Sequence, residues 1–314
     1  MVIRAFNIEL ARIPDTVSTT TIGALRYQFW RDAISDAFNG SPRQQPVSLL
    51  LARTLEILGA RTEGTATLSK HWFMRVIATR EQYSDGRPYP DLAALETYAE
   101  NTYSTLMYLT LQSLPMSSLT ADHIASHIGK ASGIVAVLRG LPLVAFPPPP
   151  NHHSKSGSMG DSLERGKQGT VMLPLDVMAR AGLQEEDVLR QGPEAPGLKD
   201  TVFEVATRAN DHLITAREMM KNVREGMDIG HAYEHADDTE HSETSQTDDG
   251  MLSKEQRQLQ DVERAYGIFM DAIAAQSWLD RLQKANFDLF STQMRKKDWK
   301  LPFRAYGAYR KRTF

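Results

Sequence analysis

The sequence predicts an all-α protein, a single helical domain with about nine or ten helices. Apolar side chains recur at helical spacing through most of the chain. Leu259, Val262, Tyr266, Phe269 and Ile273, for example, follow one another at spacings of 3, 4, 3 and 4, which puts them on one face of a helix. The alternation of apolar and polar residues that indicates strands is nearly absent.

The predicted helices follow one another along the whole chain. They begin with one from Val2, continue at 21–38, 46–58, 68–83, 91–113, 121–139, 200–223, 253–273 and 276–286, and finish with one from Leu301. The segment 253–273 opens on a capping box, a serine followed three residues later by a glutamine. Gly129 and Gly133 lie four residues apart in 121–139, so we expect a neighbouring helix to approach closely there.

Composition limits the classes of protein to which the chain can belong. With 314 residues, 41% of them hydrophobic, it can bury a large core, and we expect one domain over residues 1–314. The formal net charge of −3 does not suit a general polyanion binder. The absence of cysteine excludes disulfides, thiolate metal sites and cysteine nucleophiles. No uninterrupted apolar run reaches the roughly 18 to 20 residues that cross a bilayer, so we expect no membrane-spanning helix.

Two segments interrupt the helical pattern, and both are predicted to be flexible loops, at about 144–169 and 228–252. The first contains four consecutive prolines at 147–150. Residues 228–249 hold eight acidic residues, no lysine or arginine and almost no large apolar residue, which predicts a disordered insertion. The histidines of this insertion could bind a metal, although solvated loop histidines are more frequent. His123 and His127 could also do so, but packing roles are more frequent at such positions.

The C-terminal segment combines basic and aromatic residues. Residues 294–314 hold eight basic residues and one acid, with five aromatic residues between them. This combination suits an anionic membrane surface or an acidic partner. The residues predicted to make that contact are Lys296, Lys297, Trp299, Arg304, Arg310, Lys311 and Arg312. The alternative is a last helix that packs on the core and leaves its basic face in solvent. No nucleic acid is expected as a partner, because no motif for binding one accompanies the basic residues.

Several separated strings resemble the squalene/phytoene synthase superfamily. They read RAFNIE at 4–9, TIGALRYQFW at 21–30, YAENT at 98–102, HIGKA at 127–131 with LR at 138–139, and GTVMLPLD at 169–176. Together with the ending over 301–311, they look most like members that assist the assembly of mitochondrial respiratory complex I. The resemblance implies the helical fold of isoprenoid synthases, and it covers nearly the whole chain apart from the two predicted loops.

The synthases ionise allylic diphosphates, and the resemblance implies where their first metal motif would lie. Two aspartate-rich motifs on facing helices hold Mg²⁺, which neutralises the departing diphosphate. The first motif, Asp-Asp-x-x-Asp, aligns with residues 11–15. Here Ala11 and Arg12 replace the first two acids and only Asp15 remains. We expect Pro14 to end the helix within this window.

The second synthase motif reads roughly Gln-x-x-Asn-Ile-Leu-Arg-Asp-x-x-Glu-Asp and aligns on Leu138 and Arg139. The positions that bind metal or substrate in the synthases fall here on Gly133, Ala136, Arg139, Gly140, Leu143 and Val144. Every metal-binding polar side chain of that motif is absent from these positions, so the resemblance implies two degenerate motifs. We therefore expect no catalytic residues, no bound metal and no cofactor.

The resemblance implies a chaperone-like, non-catalytic assembly factor for respiratory complex I. Its expected partners are complex I subunits or other assembly factors, together with the inner-membrane surface, including anionic lipid. Its expected location is the matrix side of the mitochondrial inner membrane, with a targeting sequence not present in this chain. Two alternatives remain at this point. One is a residual prenyl-diphosphate transferase that recruits metal through Asp15, Glu9 and a partner. The other is a carrier that binds an isoprenoid or phospholipid without converting it.

Overall fold

The structure is a computed structural model that describes residues 1–17, 19–147, 169–227 and 254–314. These residues form helices and no strand. The helices are α1 (Val2–Ala11), α2 (Ile13–Thr16), α3 (Thr20–Phe38), α4 (Pro46–Thr62), α5 (Lys70–Gln82), α6 (Leu92–Ala99), α7 (Thr105–Leu111), α8 (Leu119–Ala145), α9 (Leu175–Arg180), α10 (Glu185–Gln191), α11 (Leu198–Arg224), α12 (Lys254–Phe269), α13 (Asp271–Lys284), α14 (Thr292–Arg295) and α15 (Leu301–Lys311). A π-helical turn, Glu100–Ser104, joins α6 to α7, and a 3₁₀ turn, Gly192–Glu194, follows α10.

The predicted all-α fold is confirmed, with differences where helices break. The predicted helix 91–113 is divided by the π turn, and short helices that the sequence pattern did not reveal lie between the long ones. The predicted stripe from Leu259 to Ile273 is also divided, because α12 ends at Phe269 and α13 begins at Asp271. Spacing alone missed this break, since Ile273 keeps the helical phase after it. Ser253, the predicted helix cap, lies outside the described residues.

Buried apolar side chains form two clusters. The N-terminal cluster comes from α1 to α5 and includes Phe6, Tyr27, Trp30 and Phe73. The central cluster is larger and comes mainly from α6 to α13. Helix α7 contributes to both, because Leu109 belongs to the N-terminal cluster and its neighbours Met107 and Leu111 to the central one. Arg80 connects helices of the two clusters through Asn7, Tyr98 and Tyr103. We call Arg80 and the polar and tyrosine side chains around it the polar seam.

Helix α8 is the centre of the central cluster. It packs against α6, the π turn, α7, α11, α12 and α13. By length and composition α8 is apolar enough to cross a membrane, contrary to the expectation that the chain has no such helix. Half of its most apolar window is buried inside the protein, however, as in the core helix of a globular fold. The prediction overlooked it because Lys130 and Arg139 interrupt its apolar run.

The two predicted loops fall largely outside the described residues. Residues 148–168 and 228–253 are not described, so their predicted flexibility stays a prediction. The first loop does not begin at Val144, because α8 continues to Ala145 with Pro142 inside it. At the other side of this gap the chain lies against the end of α8, where the Thr170 amide donates to the Val144 carbonyl at 3.3 Å. Position 169 is glycine for a steric reason, since a Cβ there would meet the Ala145 carbonyl.

Candidate functional site

The positions of the first synthase motif lie at the junction of α1 and α2. Ala11 is the last residue of α1, Arg12 lies between the helices, and Asp15 is in α2. All three are exposed. The expectation that Pro14 ends a helix is wrong in detail. Helix α1 has already ended three residues earlier, and Pro14 lies in the first turn of α2, where its missing amide hydrogen costs no hydrogen bond.

The positions of the second motif all lie in the C-terminal half of α8. Gly133 is buried, Ala136 and Gly140 are half-buried, and the three others are exposed. The exposed ones are Arg139, Leu143 and Val144. Leu143, which the resemblance aligns with a glutamate of the synthase motif, is 68% exposed.

Gly129 and Gly133 allow α8 to approach the π turn closely, as the sequence predicts. A Cβ on Gly129 would lie 2.4 Å from the Cα of Ser104, and a Cβ on Gly133 would lie 2.5 Å from the Cβ of Ala99. Neither position can hold a larger side chain unless a backbone moves. The Ser104 hydroxyl also donates to the Ser126 carbonyl at 2.9 Å, which fixes the π turn against α8.

Arg80 is the centre of the polar seam between the two clusters. Its Nη2 donates to Asn7 Oδ1 at 2.7 Å, and its Nη1 donates to the Tyr98 hydroxyl at 3.3 Å. Its guanidinium also lies over the Tyr103 ring, 5.9 Å from the centroid. The Nε atom is buried without a hydrogen-bond partner. Arg80 therefore connects α1, α5, α6 and the π turn through one planar cation.

Tyrosines surround this arginine. The rings of Tyr83, Tyr89 and Tyr98 contact one another, with centroids 4.9 to 5.5 Å apart. Burial raises the pKa of Tyr89 far above its usual value, and its hydroxyl has no hydrogen-bond partner. On the other side of the seam the Tyr27 hydroxyl donates to the Arg80 carbonyl at 3.3 Å, and burial raises the pKa of Tyr27 to about 12. These phenols stay neutral at physiological pH.

Glu100 is buried and Glu96 is half-buried, and both carboxylates have partners. Glu100 accepts hydrogen bonds from the Tyr108 hydroxyl at 2.5 Å and the Ser126 hydroxyl at 2.8 Å. Glu96 Oε1 lies 2.6 Å from His212 Nε2 and accepts from Arg208 at 2.5 Å. Burial alone would raise the pKa of Glu96, but the bonds from His212 and Arg208 outweigh it and lower this pKa to about 2.

The histidines of α8 pack with His212. His127 Nδ1 lies 3.0 Å from His212 Nδ1, and the rings of His123 and His127 are stacked with centroids 5.3 Å apart. Within the described ranges no group of three or more His, Cys, Asp or Glu side chains could hold a metal ion. This arrangement offers hydrogen bonds among buried and half-buried side chains, with one cation, Arg80, and several phenols in the polar seam.

Sequence reasoning missed Arg80 and the tyrosines around it. A signal for Arg80 was present, because Phe73, Ile77 and Arg80 lie at i, i+4 and i+7 on the buried face of α5. A charged residue on an apolar stripe is rarely buried without partners. Tyr83 and Tyr89, by contrast, lie at the end of α5 and in the segment after it, where no periodic pattern marks them.

The predicted contact residues of the C-terminus lie on and before α15. Lys296, Lys297 and Trp299 precede the helix, and the other four lie in or just after it. All are exposed except Arg312, which is half-buried and lies over the Tyr309 ring, 4.5 Å from the centroid. The alternative prediction, a helix packed on the core, describes one side of α15, since that helix contacts α13.

A family model described as squalene/phytoene synthase matches residues 1–145 and 159–302. The chain belongs to the squalene/phytoene synthase family. Among solved structures, a dehydrosqualene synthase in complex with a ligand has the same fold, with a TM-score of 0.63 over 99% of this chain and 86% of that one. At 13% sequence identity this likeness concerns the fold alone.

Within the squalene/phytoene synthase family the similar curated proteins are assembly factors. NADH dehydrogenase (ubiquinone) complex I, assembly factor 6 of Rattus norvegicus is 33% identical over 311 residues, which cover 99% of this chain and 73% of the relative. The Homo sapiens protein of the same name is 30% identical over 312 residues, with the same coverage. The Drosophila melanogaster homolog is 27% identical over 310 residues, covering 97% of this chain and 72% of that protein. The resemblance to complex I assembly factors is confirmed.

Proposed function

We propose that this chain is a non-catalytic assembly factor for mitochondrial respiratory complex I. The names of its relatives support the assembly role, at 30% identity or more over almost the whole chain. The contact between α8 and the end of α6 is the observation that carries the non-catalytic part. A Cβ at position 133, where the synthases have a glutamine, would lie 2.5 Å from the Ala99 Cβ and 2.9 Å from its Cα. Ala99 therefore occupies the space that the first carbon of such a side chain would need.

The other motif positions support the same proposal. Arg12 puts a cation where a Mg²⁺ ligand would have to be, and Asp15 is exposed on a helix of four residues. A single carboxylate in water is a poor ligand set for Mg²⁺, which synthases hold through several oxygens. Without the metal, negative charge that develops on a leaving diphosphate has no stabiliser.

The polar seam argues against residual chemistry as well. Both terminal nitrogens of Arg80 already donate to protein atoms, to Tyr98 and Asn7, and the guanidinium lies over the Tyr103 ring. Tyr27, Tyr89 and Tyr103 keep their protons, because burial raises the pKa of each. Such groups stabilise a fold, but they do not supply a general base at neutral pH.

We further propose that the protein acts in mitochondria at the matrix side of the inner membrane. Its partners there would be complex I subunits or other assembly factors, and the helical body would hold one of them while the membrane arm or quinone module is built. Charged groups at such an interface would set orientation and association rate more than affinity.

Complementation tests the assembly role. The chain, fused to a mitochondrial targeting sequence, is expressed in cells whose own assembly factor 6 has been deleted, and assembled complex I is measured on native gels. We expect complex I to return with the unchanged chain and equally with Asp15→Asn. Failure of the imported, folded chain to restore any complex I would contradict the assembly role.

A second measurement tests the absence of catalysis. The purified chain is incubated with Mg²⁺ and farnesyl or geranylgeranyl diphosphate, and the release of pyrophosphate is followed. We expect no turnover above the protein-free rate. Sustained release that is abolished by Asp15→Asn would establish a prenyl-diphosphate transferase instead.

A further inference from the structure

We propose that α15 and the residues just before it bind the surface of an anionic phospholipid bilayer. We call this surface the C-terminal patch. It consists of three aromatic residues, Trp299, Phe303 and Tyr306, and of seven cations around them. The cations are Lys296, Lys297, Lys300, Arg304, Arg310, Lys311 and Arg312. The inference deepens the proposed function and rests on it for the choice of membrane, which is the inner membrane of mitochondria.

Three large aromatic side chains of the C-terminal patch point into solvent. Trp299 and Phe303 are each 71% exposed, and Tyr306 is 64% exposed. Phe303 and Tyr306 are three residues apart in α15 and therefore lie on one side of it, while Trp299 lies in the turn just before the helix. The rings of Trp299 and Phe303 contact each other edge to face, with centroids 6.4 Å apart. Single exposed apolar residues are ordinary, but three large aromatic side chains exposed close together mark a contact surface.

The cations of the patch divide into two groups. Arg304 and Arg312 are held by the protein. Arg304 Nη1 donates to the Ser277 hydroxyl at 2.7 Å, and Arg312 Nε lies 3.6 Å from Glu263 Oε2. The others are exposed and have no carboxylate partner among the described residues. These are Lys296, Lys297, Lys300, Arg310 and Lys311. This second group leaves the patch with an uncompensated positive charge.

The C-terminal patch is fixed to the body of the protein. The Tyr266 hydroxyl donates to the Ala308 carbonyl at 3.1 Å, and Arg217 Nε donates to the Phe314 carbonyl at 2.8 Å. On the same side, Arg312 lies over the Tyr266 ring. These contacts hold one side of α15 against the bundle, so the exposed aromatic side chains are presented in a defined orientation.

A bilayer fits this surface better than an acidic protein does. The aromatic side chains protrude from an exposed helix, and a protein partner would need a groove shaped to receive them. A bilayer interface accepts Trp, Tyr and Phe side chains without such a shape, and Trp and Tyr are enriched at that depth. Lysines and arginines around them are attracted by anionic headgroups, and the two contributions together give an anchoring that neither gives alone.

Tryptophan fluorescence offers a direct test with the full chain. Trp30 and Trp278 are buried and Trp72 is half-buried, so Trp299 is the exposed one of the four. The probes are vesicles of phosphatidylcholine alone and of phosphatidylcholine with cardiolipin, each prepared with and without brominated acyl chains. We expect brominated lipid in the cardiolipin vesicles to quench the emission, and Trp299→Phe to remove most of that quenching. Equal quenching in the Trp299→Phe variant would overturn the proposal.

Charge reversal tests the electrostatic part by sedimentation with the same vesicles. In one variant Lys296, Lys297, Arg310 and Lys311 are changed to Glu. The control changes Arg61, Lys70, Lys199 and Lys284 to Glu, which are equally exposed and lie elsewhere. We expect the first variant to bind cardiolipin vesicles at least about tenfold more weakly and the control to bind like the unchanged chain. Circular dichroism checks that both variants are folded.

Two other results would overturn the proposal. If both variants lose vesicle binding equally, net charge and not this surface attracts the lipid. If the unchanged chain binds no vesicle, but an acidic protein is retained by it and lost with the first variant, the surface is a protein interface. Neither result affects the complementation experiment, so failure of membrane binding and failure of the assembly role are distinguishable.

Discussion

The Cα of Ser104 lies 2.4 Å from the point that a Cβ on Gly129 would occupy. Ser104 is the last residue of the π turn, and Gly129 is in the middle of α8. The extra residue of a π turn displaces its backbone outward. Only a glycine on the facing helix leaves room for that displacement. The π turn and Gly129 therefore depend on each other, and both belong to the packing around position 133, with which the second synthase motif aligns.

Gly129→Ala is expected to lower the free energy of unfolding by at least about 2 kcal/mol, because the added methyl group meets backbone and not a flexible side chain. Urea denaturation measures this change. The matched control is Gly59→Ala in α4, where no atom lies within 4 Å of the new Cβ. That control should gain about 0.5 to 1 kcal/mol from helix propensity. A neutral effect of Gly129→Ala would show that the π turn can move.

Two substitutions toward the second synthase motif should distinguish a position where packing excludes a side chain from one where it does not. Gly133→Gln is expected to destabilise the protein by at least about 2 kcal/mol, since its Cβ would meet Ala99. Gly140→Asp should fold normally, because no atom lies within 4 Å of a Cβ at that position. Urea midpoints of the two variants give the comparison. A stable Gly133→Gln variant that releases pyrophosphate from a prenyl diphosphate would contradict the proposed loss of the catalytic site.

Glu96 should make stability depend on pH in the acid range. Its pKa in the folded protein is about 2, below the value of roughly 4.3 in an unfolded chain. A group with a lowered pKa stabilises the fold fully above its unfolded value, and this contribution is lost as the pH falls through about 4 toward 2. Glu96→Gln should therefore lower the free energy of unfolding by about 2 kcal/mol at pH 7 and by little at pH 2.

Chemical denaturation at a series of pH values measures this profile. Glu56→Gln is the control, because Glu56 pairs with Arg53 on the surface, where both side chains are about two-thirds exposed. Exposed pairs of this kind contribute little, so the control should follow the unchanged protein at every pH. If Glu96→Gln and Glu56→Gln give the same profile, the contacts of Glu96 with His212 and Arg208 do not stabilise the fold.

Arg80 and Asn7 should show energetic coupling across the polar seam. Their hydrogen bond joins α5 to α1 at 2.7 Å and has a charged donor. A double-mutant cycle with Asn7→Ala and Arg80→Met should give a coupling of about 1 to 2 kcal/mol. The parallel cycle on the exposed pair Arg53 and Glu56 should give less than about 0.5 kcal/mol. Additive effects of Asn7→Ala and Arg80→Met would mean that each side chain finds another partner.

The long helices could be predicted from sequence because each carries an apolar stripe over several turns. Helices α3, α8 and α11 begin and end within a few residues of the predicted limits, except that α8 continues six residues beyond 139. Gly129 and Gly133 could be predicted as a close contact from their spacing alone. The π turn could not be predicted, because Glu100–Ser104 keeps helical periodicity and only its hydrogen-bond pattern differs.

The polar seam could not be predicted from local sequence patterns, for a different reason. Asn7, Arg80 and Tyr98 are separated by up to 91 positions, and no short-range signal pairs a side chain in α1 with one in α5. The resemblance locates the motif positions in the sequence. It does not show how the side chains around those positions pack. The resemblance aligns a glutamine of the synthases with position 133, whereas only the structure shows that Ala99 lies where a Cβ at that position would be.

The close contact between Ala99 and Gly133 also limits which substitutions this protein can accept during evolution. A lineage that lost only its acids could regain them one at a time, each change neutral until the last. Here a side chain at position 133 would first require Ala99 to move away, so that step would lower stability before it could restore any function. The contact between Ala99 and Gly133 would therefore oppose a return to the synthase motif even if every acid were regained.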